Sequence, residues 1–185
     1  MKVYTRKGDD GTTGLLYGGR VTKDDAGPAA YGAVDEAVSA LGLARATTER
    51  GGELHDVLLR LQRELFVVGA ELATAPENRP KLTPEVTLTT AEMVEALEPV
   101  IDDVTTRFEP PREFVVPGEN SVAAALDLAR AVVRRAEREA VAATRAGWLE
   151  PHSHAVPYLN RLADLVYTLA RWQEGSWRPL HERDP

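Results

Sequence analysis

The sequence predicts an all-α fold, a five-helix bundle that follows an irregular N-terminal segment. Beyond residue 27, apolar side chains recur at spacings of three and four, the period of a helix with one buried face. No segment shows the strict alternation of apolar and polar residues that indicates a half-buried strand. The chain has 185 residues, of which 43% are hydrophobic, and this suffices to bury one core. We therefore expect a single domain over residues 1–185.

The N-terminal half divides into a loop and two strongly patterned helices. Residues 1–27 are rich in glycine and lack a helical period, so they are predicted to form a loop, and the helical bundle is predicted over 28–174. Pro28 is expected to open the first helix, which Gly51 and Gly52 end. The second helix is the most clearly amphipathic, so its apolar stripe should face the core. That stripe comprises Leu54, Leu58, Leu61, Leu65, Val68 and Leu72.

The C-terminal half contains three further predicted helices. A weaker helix is expected over 89–107 with a kink at Pro99, and an irregular segment follows it. Asn120 or Ser121 can cap the longest helix, which should end before Gly147. Its small apolar residues step by three and four and predict close helix packing. They are Leu126, Ala129, Val133, Ala136, Ala140 and Ala143. The last helix, over about 156–172, should bury Leu159, Leu162, Val166 and Leu169.

The composition excludes several classes of protein. A net charge of −7 argues against a general affinity for nucleic acid. The chain has no cysteine, which excludes disulfides, thiolate-bound metals, iron–sulfur clusters and a cysteine nucleophile. No apolar stretch approaches the roughly 18 residues of a membrane-spanning helix, and the N-terminus lacks the apolar core of a secretory signal. We therefore expect a cytoplasmic protein with neither a nucleic-acid nor a membrane partner.

The N-terminal loop combines groups that suit a polyphosphate. Residues 5–14 include three glycines, whose backbone amides can turn inward, together with hydroxyls and cations that add further donors. The segment is not a Walker A loop, because no Gly-Lys-Ser/Thr follows. A flexible N-terminal arm is the alternative interpretation.

The long helix carries a polar stripe beside its apolar seam. Arginine supplies 18 of the 22 basic residues, through either a compositional bias or the use of guanidinium groups to hold phosphate or carboxylate. Excess positive charge on one face of an acidic protein favours an anionic ligand, whereas a solvated face laced with Arg–Glu pairs is the alternative. The stripe consists of Asp127, Arg130, Arg134 and Glu137, and Arg135 and Arg138 adjoin it.

Two smaller polar sets lie on other predicted helices. In the first helix, Asp35 and Glu36 could pair with arginines or hold magnesium, or could belong to a solvated surface. The last helix carries a polar stripe that is either part of a site or a hydrogen-bond network beside the core. Its members are Asn160, Asp164, Tyr167 and Arg171.

Taken in order along the chain, these segments resemble the PduO-type ATP:cob(I)alamin (corrinoid) adenosyltransferases. The resemblance spans most of the chain, and it is specific because several short blocks occur in the family's order. The blocks are YTRKGDDGTT (4–13), KDD (23–25), AYGAVDE (30–36), FVVPG (114–118), ARAVVRRAER (129–138) and YLNRLAD (158–164).

The resemblance implies a homotrimer of five-helix bundles with active sites between neighbouring subunits. Its substrates would be ATP, accompanied by Mg²⁺, and cobalamin. Catalytic roles are implied for Arg134, for Phe114 on the corrinoid side, and for Asp35 and Arg130 as an ion pair across the site. The implied ATP contacts are Thr5, Arg6, Lys7, Gly8, Thr13, Gly14, Lys23, Arg134, Arg135, Glu137, Arg138 and Asn160.

The family's chemistry, if carried over, needs no nucleophile from the protein. Cobalt(I) attacks the 5′ carbon of ATP, triphosphate leaves, and adenosylcobalamin forms. A phenylalanine displaces the lower ligand of cobalt and leaves a four-coordinate cobalt(II) that is easier to reduce. A cob(II)alamin reductase and a B12-dependent mutase are the partners that such an enzyme would serve.

Three positions depart from the family pattern. Glu119-Asn120 stands where Gly-Thr or Gly-Ser is usual, Asp127 where a histidine is common, and Val38 where an asparagine is common. None of them removes an implied phosphate ligand. Two other functions stay open from the sequence: a non-catalytic corrinoid- or nucleotide-binding carrier or sensor with the same fold, and a helical interaction module.

Overall fold

Six α-helices make up most of the protein in a computed structural model, which describes residues 4–181. The predicted all-α fold is therefore confirmed, although the predicted third helix is present as two. A 3-10 helix over Pro76–Lys81 follows the second α-helix. The α-helices are α1 (Ala26–Ala46), α2 (Glu53–Leu72), α3 (Ala91–Glu95), α4 (Glu98–Thr105), α5 (Ser121–Arg145) and α6 (Ala155–Glu174).

The long helices pack side by side in the order α2, α1, α5 and α6, and α4 packs against α6. Neighbouring long helices run antiparallel. Gln62 in α2 donates a 3.0 Å hydrogen bond to the carbonyl of Val38 in α1. At the start of α1, Gly27 touches the indole of Trp148, which follows α5, and a Cβ on Gly27 would lie 2.2 Å from an indole carbon. Only glycine therefore fits at this contact between the two ends of the helix pair.

The predicted apolar faces form the core. All six stripe residues of α2, all six seam residues of α5 and all four predicted residues of α6 are buried. Four of the six seam residues of α5 are alanine, so α1 and α6 can approach this central helix closely on either side. Burial of apolar area contributes roughly 25 cal/mol per Å² and is the main favourable contribution to folding here.

No strand pattern is visible in the sequence, yet the described residues include four short strands. Two short antiparallel ribbons flank the bundle: β1 (Thr12–Gly14) pairs with β2 (Arg20–Thr22), and β3 (Val115–Val116) pairs with β4 (Arg178–Pro179). Strands of two or three residues are too short for a period of two to be visible in a sequence. The partner of β3 also lies about sixty residues further along the chain, beyond the reach of any local pattern.

Two helix starts differ from the sequence prediction for identifiable reasons. The Asp25 carboxylate accepts a hydrogen bond from the amide of Ala26 (2.7 Å), so α1 begins two residues before Pro28. The helix predicted with a kink at Pro99 is interrupted, and Pro99 occupies the first turn of α4, where its missing N–H costs nothing. No helix within residues 4–181 is both long and apolar enough to cross a lipid bilayer.

Candidate active site

Residues 5–23 form an ordered ribbon, which we call the N-terminal hairpin, where the sequence predicted an irregular loop. Thr13 and Gly14, two of the predicted ATP contacts, lie in β1. The turn contains Gly18 and Gly19, whose φ angles of 99° and 95° suit glycine and few other residues.

Arg20 holds the hairpin together. Its Nε donates to the hydroxyl of Thr12 (3.1 Å), and its Nη2 donates to the carbonyl of Lys7. Asp10 accepts hydrogen bonds from the Thr12 hydroxyl (2.7 Å) and the Thr12 amide (2.9 Å), and these bonds hold the pKa of the Asp10 carboxyl below its ordinary value. The segment that carries the predicted phosphate donors is thus fixed by side-chain contacts of its own.

Lys23 and Gly8 lie against each other within the hairpin. A Cβ on Gly8 would lie 3.2 Å from the Lys23 ammonium nitrogen and 3.1 Å from the carbonyl oxygen of Thr12, so a larger residue would be crowded here. Arg6 has a φ of 60°, and its guanidinium carbon lies 5.6 Å from the centroid of the Tyr4 ring. The ammonium group of Lys23 therefore lies within the segment where the sequence predicted a polyphosphate site.

The hairpin is attached to the C-terminal end of α2. The amide of Leu16 donates to the carbonyl of Ala73 (2.9 Å), and Asn78 donates to the carbonyl of Gly18 (3.3 Å). The hairpin therefore lies against the C-terminal end of α2.

The two polar stripes that were predicted on separate helices face each other. Asn160 in α6 donates to a Glu137 carboxylate oxygen in α5 (2.9 Å). About two helical turns further along the same pair of helices, the guanidinium carbon of Arg130 lies 6.0 Å from the centroid of the Tyr167 ring. We call this polar surface, formed by the two stripes, the α5–α6 face.

Two of the predicted arginine ligands are available to an anion. Arg134 and Arg138 are exposed, and within residues 4–181 neither guanidinium has a carboxylate partner; Arg138 donates only to the carbonyl of Arg134 (3.0 Å). Arg135 instead points toward α1 and forms an ion pair with Glu36. Of the adjacent carboxylates in α1, Glu36 is thus the one that pairs with an arginine.

A buried cluster of charges closes one end of the α5–α6 face. Asp127 accepts from Arg171 (2.5 Å), and Nε of Arg171 lies 2.9 Å from Glu174; the side chains of Arg171 and Glu174 are each 1% exposed. Burial raises the pKa of the Glu174 carboxyl, and the nearby carboxylates of Asp127 and Glu119 raise it further against the opposing effect of Arg171. Two carboxylates therefore share one fully buried guanidinium.

Phe114 is the most exposed large apolar residue in the described part of the chain, with 82% of its surface accessible. Its carbonyl accepts from the amide of Leu180 (2.8 Å), next to the β3–β4 ribbon. Asn120, which caps α5, donates to the carbonyl of Gln173 (2.8 Å) and ties this region to the end of α6. An aromatic side chain held outside the core at this end of the face is free to contact a ligand.

The predicted ion pair between Asp35 and Arg130 is not formed within the chain. Nε of Arg130 lies 3.7 Å from Asp127 instead. Asp35 is exposed and lines an apolar groove of about 420 Å³ between α1 and α2, where Phe66 is 65% exposed. Asp35 therefore lies beside α2, whereas Arg130 lies beside Tyr167 of α6.

The predicted site residues thus fall into two groups. Within residues 4–181, no hydrogen bond or ion pair joins the N-terminal hairpin to α5 or α6. Arg20 was missed from the sequence, although the adjacent glycines before it could have indicated a hairpin turn. The contact between Asp127 and Arg171 was also missed, because each residue had been placed in a separate stripe.

Comparison with known proteins bears on this arrangement. The family model for cobalamin adenosyltransferase matches residues 3–173. The corrinoid adenosyltransferase of Citrobacter freundii is 42% identical over 175 residues, which cover 95% of this chain and 96% of that protein. The corrinoid adenosyltransferase of Mycobacterium tuberculosis is 40% identical over 190 residues, which cover 98% and 95%. The chain belongs to the cobalamin adenosyltransferase family.

Solved structures agree at the level of the whole fold. A variant of the PduO-type ATP:corrinoid adenosyltransferase from Lactobacillus reuteri, complexed with cobalamin and ATP, superposes with a TM-score of 0.84 at 28% identity. The match covers 98% of this chain and all of that one. The resemblance to PduO-type enzymes that the sequence motifs indicated is therefore confirmed.

Proposed function

We propose that the protein is an ATP:cob(I)alamin adenosyltransferase, which transfers the 5′-deoxyadenosyl group of ATP to a reduced corrinoid. The observation that carries the proposal is the exposed pair of guanidinium groups, Arg134 and Arg138, on a polar face that ends beside an exposed aromatic residue, Phe114. An anion and a flat apolar ligand can both be bound there. The relatives with 40% identity or more support the same activity.

The chemistry makes limited demands on the protein. The electron pair of cobalt(I) forms a bond to C5′ of ATP, the bond between C5′ and the phosphate oxygen breaks, and triphosphate leaves with that electron pair. The chain must hold the carbon in line with the cobalt and stabilise negative charge on the leaving triphosphate. Arg134 and Arg138 suit the second task, because planar guanidinium groups bind phosphate oxygens in pairs.

ATP is proposed to bind between the hairpin and the α5–α6 face. In the hairpin, the ammonium group of Lys23 lies against Gly8. On the α5–α6 face, the hydrogen bond between Glu137 and Asn160 joins the two helices beside the arginines. The proposed ATP contacts are Thr5, Arg6, Lys7, Gly8, Thr13, Gly14, Lys23, Arg134, Arg135, Glu137, Arg138 and Asn160.

Magnesium is proposed to arrive with ATP and not to be held by a cage of protein ligands. Within the described residues, no three His, Asp or Glu side chains cluster so as to hold a metal ion. Mg²⁺ commonly keeps several waters and is bound by phosphate oxygens with one or two carboxylates, so this donor set fits. Glu137 would be the carboxylate, and the ion would offset charge on the triphosphate.

The corrinoid is proposed to lie at the Phe114 end of the face. An exposed aromatic ring can take the place of the lower cobalt ligand and so favour four-coordinate cobalt(II), which is easier to reduce. Asp35 and Arg130 are proposed to pair across this site. Because the pair is not formed within one chain, it is proposed to join two subunits.

The proposed assembly is a homotrimer in which each site combines the hairpin of one subunit with the α5–α6 face of another. Two features support it: the separation of the two groups of site residues within one chain, and the exposed apolar groove beside Asp35. A cytoplasmic location, a cob(II)alamin reductase as the source of cobalt(I) and a B12-dependent mutase as the recipient of the product are part of the same proposal.

The test is a spectroscopic assay of cobalamin adenosylation under reducing conditions. With ATP and cob(I)alamin, we expect the absorbance of adenosylcobalamin to appear and triphosphate to accumulate in equal amount. Binding of corrinoid without product would indicate a carrier or sensor instead. Absence of both binding and product would indicate a helical interaction module.

A further inference from the structure

We propose that Asp127 is a positioning residue for the corrinoid half of the site: it fixes the guanidinium of Arg130, while the buried Arg171 fixes Asp127. This inference rests on the adenosyltransferase function proposed above and adds a residue that acts through Arg130.

The two oxygens of the Asp127 carboxylate serve two different cations. One oxygen accepts from Nη2 of Arg171 at 2.5 Å, and the other lies 3.7 Å from Nε of Arg130. The Asp127 side chain is 6% exposed and that of Arg171 only 1%, whereas that of Arg130 is 34% exposed. A carboxylate bound to a buried cation cannot rotate freely, so the charge that faces Arg130 has a fixed position.

The Tyr167 ring adds a second constraint on the same guanidinium. The ring centroid lies 6.0 Å from the Arg130 guanidinium carbon and 5.3 Å from that of Arg171. Arg130 is therefore confined by a negative charge and an aromatic ring. Its Nε is buried and makes no hydrogen bond within the described residues, but the side chain as a whole is 34% exposed, which leaves the guanidinium accessible as a donor. A corrinoid carries amide side chains whose carbonyl oxygens can accept from such a donor.

The contacts of Arg171 and Arg130 allow a positioning role of Asp127 to be separated from a purely structural role. Arg171 has a second carboxylate partner in Glu174, with the two atoms 2.9 Å apart. Arg130, by contrast, has no other carboxylate within ion-pair distance among residues 4–181. Removing the charge of Asp127 therefore leaves Arg171 with a partner but releases Arg130. Removing the charge of Glu174 leaves the contact between Asp127 and Arg130 intact.

The experiment compares Asp127→Asn with Glu174→Gln as a matched control. Each variant removes one carboxylate from Arg171 at nearly constant volume, and only the first touches Arg130. Corrinoid affinity is measured by absorbance titration of cob(II)alamin with ATP bound, which needs no turnover. We expect Asp127→Asn to raise the corrinoid Kd about tenfold with the ATP KM changed less than about twofold, and Glu174→Gln to change neither by more than about twofold.

A double variant tests whether Asp127 acts through Arg130. We expect Asp127→Asn combined with Arg130→Ala to bind corrinoid no more weakly than Arg130→Ala alone, because the residue to be positioned is already absent. Additive losses, equal losses in Asp127→Asn and Glu174→Gln, or an unchanged corrinoid Kd in Asp127→Asn would each overturn the proposal.

The design separates this inference from the proposed function. A wild-type protein that binds cob(II)alamin but forms no product would remove the activity and leave the positioning test intact. Should Asp127→Asn fail to fold, Asp127→Ser removes the same charge without an added amide and carries the same expectation. Thermal unfolding of every variant establishes that the compared proteins are folded.

Discussion

At the scale of single residues, Arg134 is the side chain on which the proposed chemistry depends most directly. It is exposed on α5 between Arg130 and Glu137, and within the described part of the chain its guanidinium has no carboxylate partner. An arginine engaged in a surface ion pair would first have to leave that partner, whereas this one can meet a phosphate group at once. Negative charge grows on the triphosphate as it departs. Arg134 should therefore stabilise the transition state more than the ground state.

Replacing Arg134 with lysine keeps the charge but loses the planar fork. We expect Arg134→Lys to lower kcat by about tenfold to a hundredfold and to raise the KM for ATP, with the free energy of unfolding changed by no more than about 0.5 kcal/mol. Steady-state kinetics against ATP at fixed cob(I)alamin measures both constants. Arg145→Lys, on the last turn of the same helix, is the control and should behave as wild type. Unchanged kinetics in Arg134→Lys would remove this arginine from the site.

Glu174 is the residue whose protonation should affect stability. Its pKa is raised above the ordinary value of 4.5 by burial first and by the neighbouring carboxylates second. The folded protein therefore holds this proton more tightly than the unfolded chain does. It follows that the contribution of Glu174 to the free energy of unfolding is fully present below about pH 4.5 and is lost as the pH rises through the raised value.

Glu174→Gln tests this sign directly, because glutamine does not titrate. We expect the free energy of unfolding of the wild type, minus that of the variant, to fall as the pH rises from about 4 to about 8. Urea unfolding at a series of pH values and one protein concentration gives this difference, since titrations common to both proteins cancel. A difference that is independent of pH, or that rises with pH, would contradict the assignment.

At the scale of elements, the helices could be predicted and the ribbons could not. The apolar stripes of α2, α5 and α6 are periodic over many turns, so their buried faces follow from the sequence alone. The ribbon of β1 with β2 depends on three residues in each strand and on the side chain of Arg20. Such contacts depend on tertiary geometry, which the local periodicity of apolar residues does not predict.

The candidate site was predictable in its members more than in its contacts. The stripes containing Arg130 and Tyr167 were visible as separate helical patterns, yet their alignment depends on the antiparallel register of α5 and α6. Asp127 precedes Arg130 by three residues in the same stripe, so their contact follows from helical spacing, whereas the resemblance implied Asp35 as the partner. Pairing across helices is set by the way the two helices pack, and that information is distributed over the whole core.

Arg20 offers a test of the hairpin as a unit. Removing its side chain eliminates the contacts with Thr12 and Lys7, so the proposed phosphate donors are held less firmly. We expect Arg20→Ala to raise the KM for ATP by about threefold to thirtyfold, while the KM for cob(I)alamin changes little. The matched control is Arg50→Ala, which removes an exposed arginine at the other end of α1. An equal rise in the KM for ATP in both variants would indicate a general effect of lost positive charge.

At the scale of the whole molecule, no hydrogen bond or ion pair within residues 4–181 joins the two halves of the proposed ATP site. The N-terminal hairpin is fastened to the end of α2 through Leu16 and Ala73, whereas the arginines are on α5. Neither half is complete by itself. An assembly with rotational symmetry repeats the same contact around a ring and so completes every site with one kind of interface.

Mixing two inactive variants tests this composite site. Lys23→Ala damages the hairpin and Arg134→Ala damages the α5–α6 face, so each variant alone should have little activity. After joint unfolding and refolding at equal concentrations, about a quarter of the sites should combine two undamaged halves, and activity should return to about a quarter of the wild-type value. Sedimentation of the mixture should give the mass of a trimer. Mixed trimers without regained activity would place both halves of the site in one subunit.

The way in which the hairpin is fastened has a thermodynamic consequence for nucleotide affinity. Few hydrogen bonds tie this ribbon to the rest of the fold, chiefly those from Leu16 to Ala73 and from Asn78 to Gly18. A unit with so few attachments opens at a lower free energy than the helices beside it, and only its closed form presents a complete set of donors. The apparent affinity for ATP then equals the intrinsic affinity reduced by the closed fraction. Substitution of Asn78, whose side chain makes one of these bonds, can therefore lower nucleotide affinity without altering any of the proposed ligand contacts.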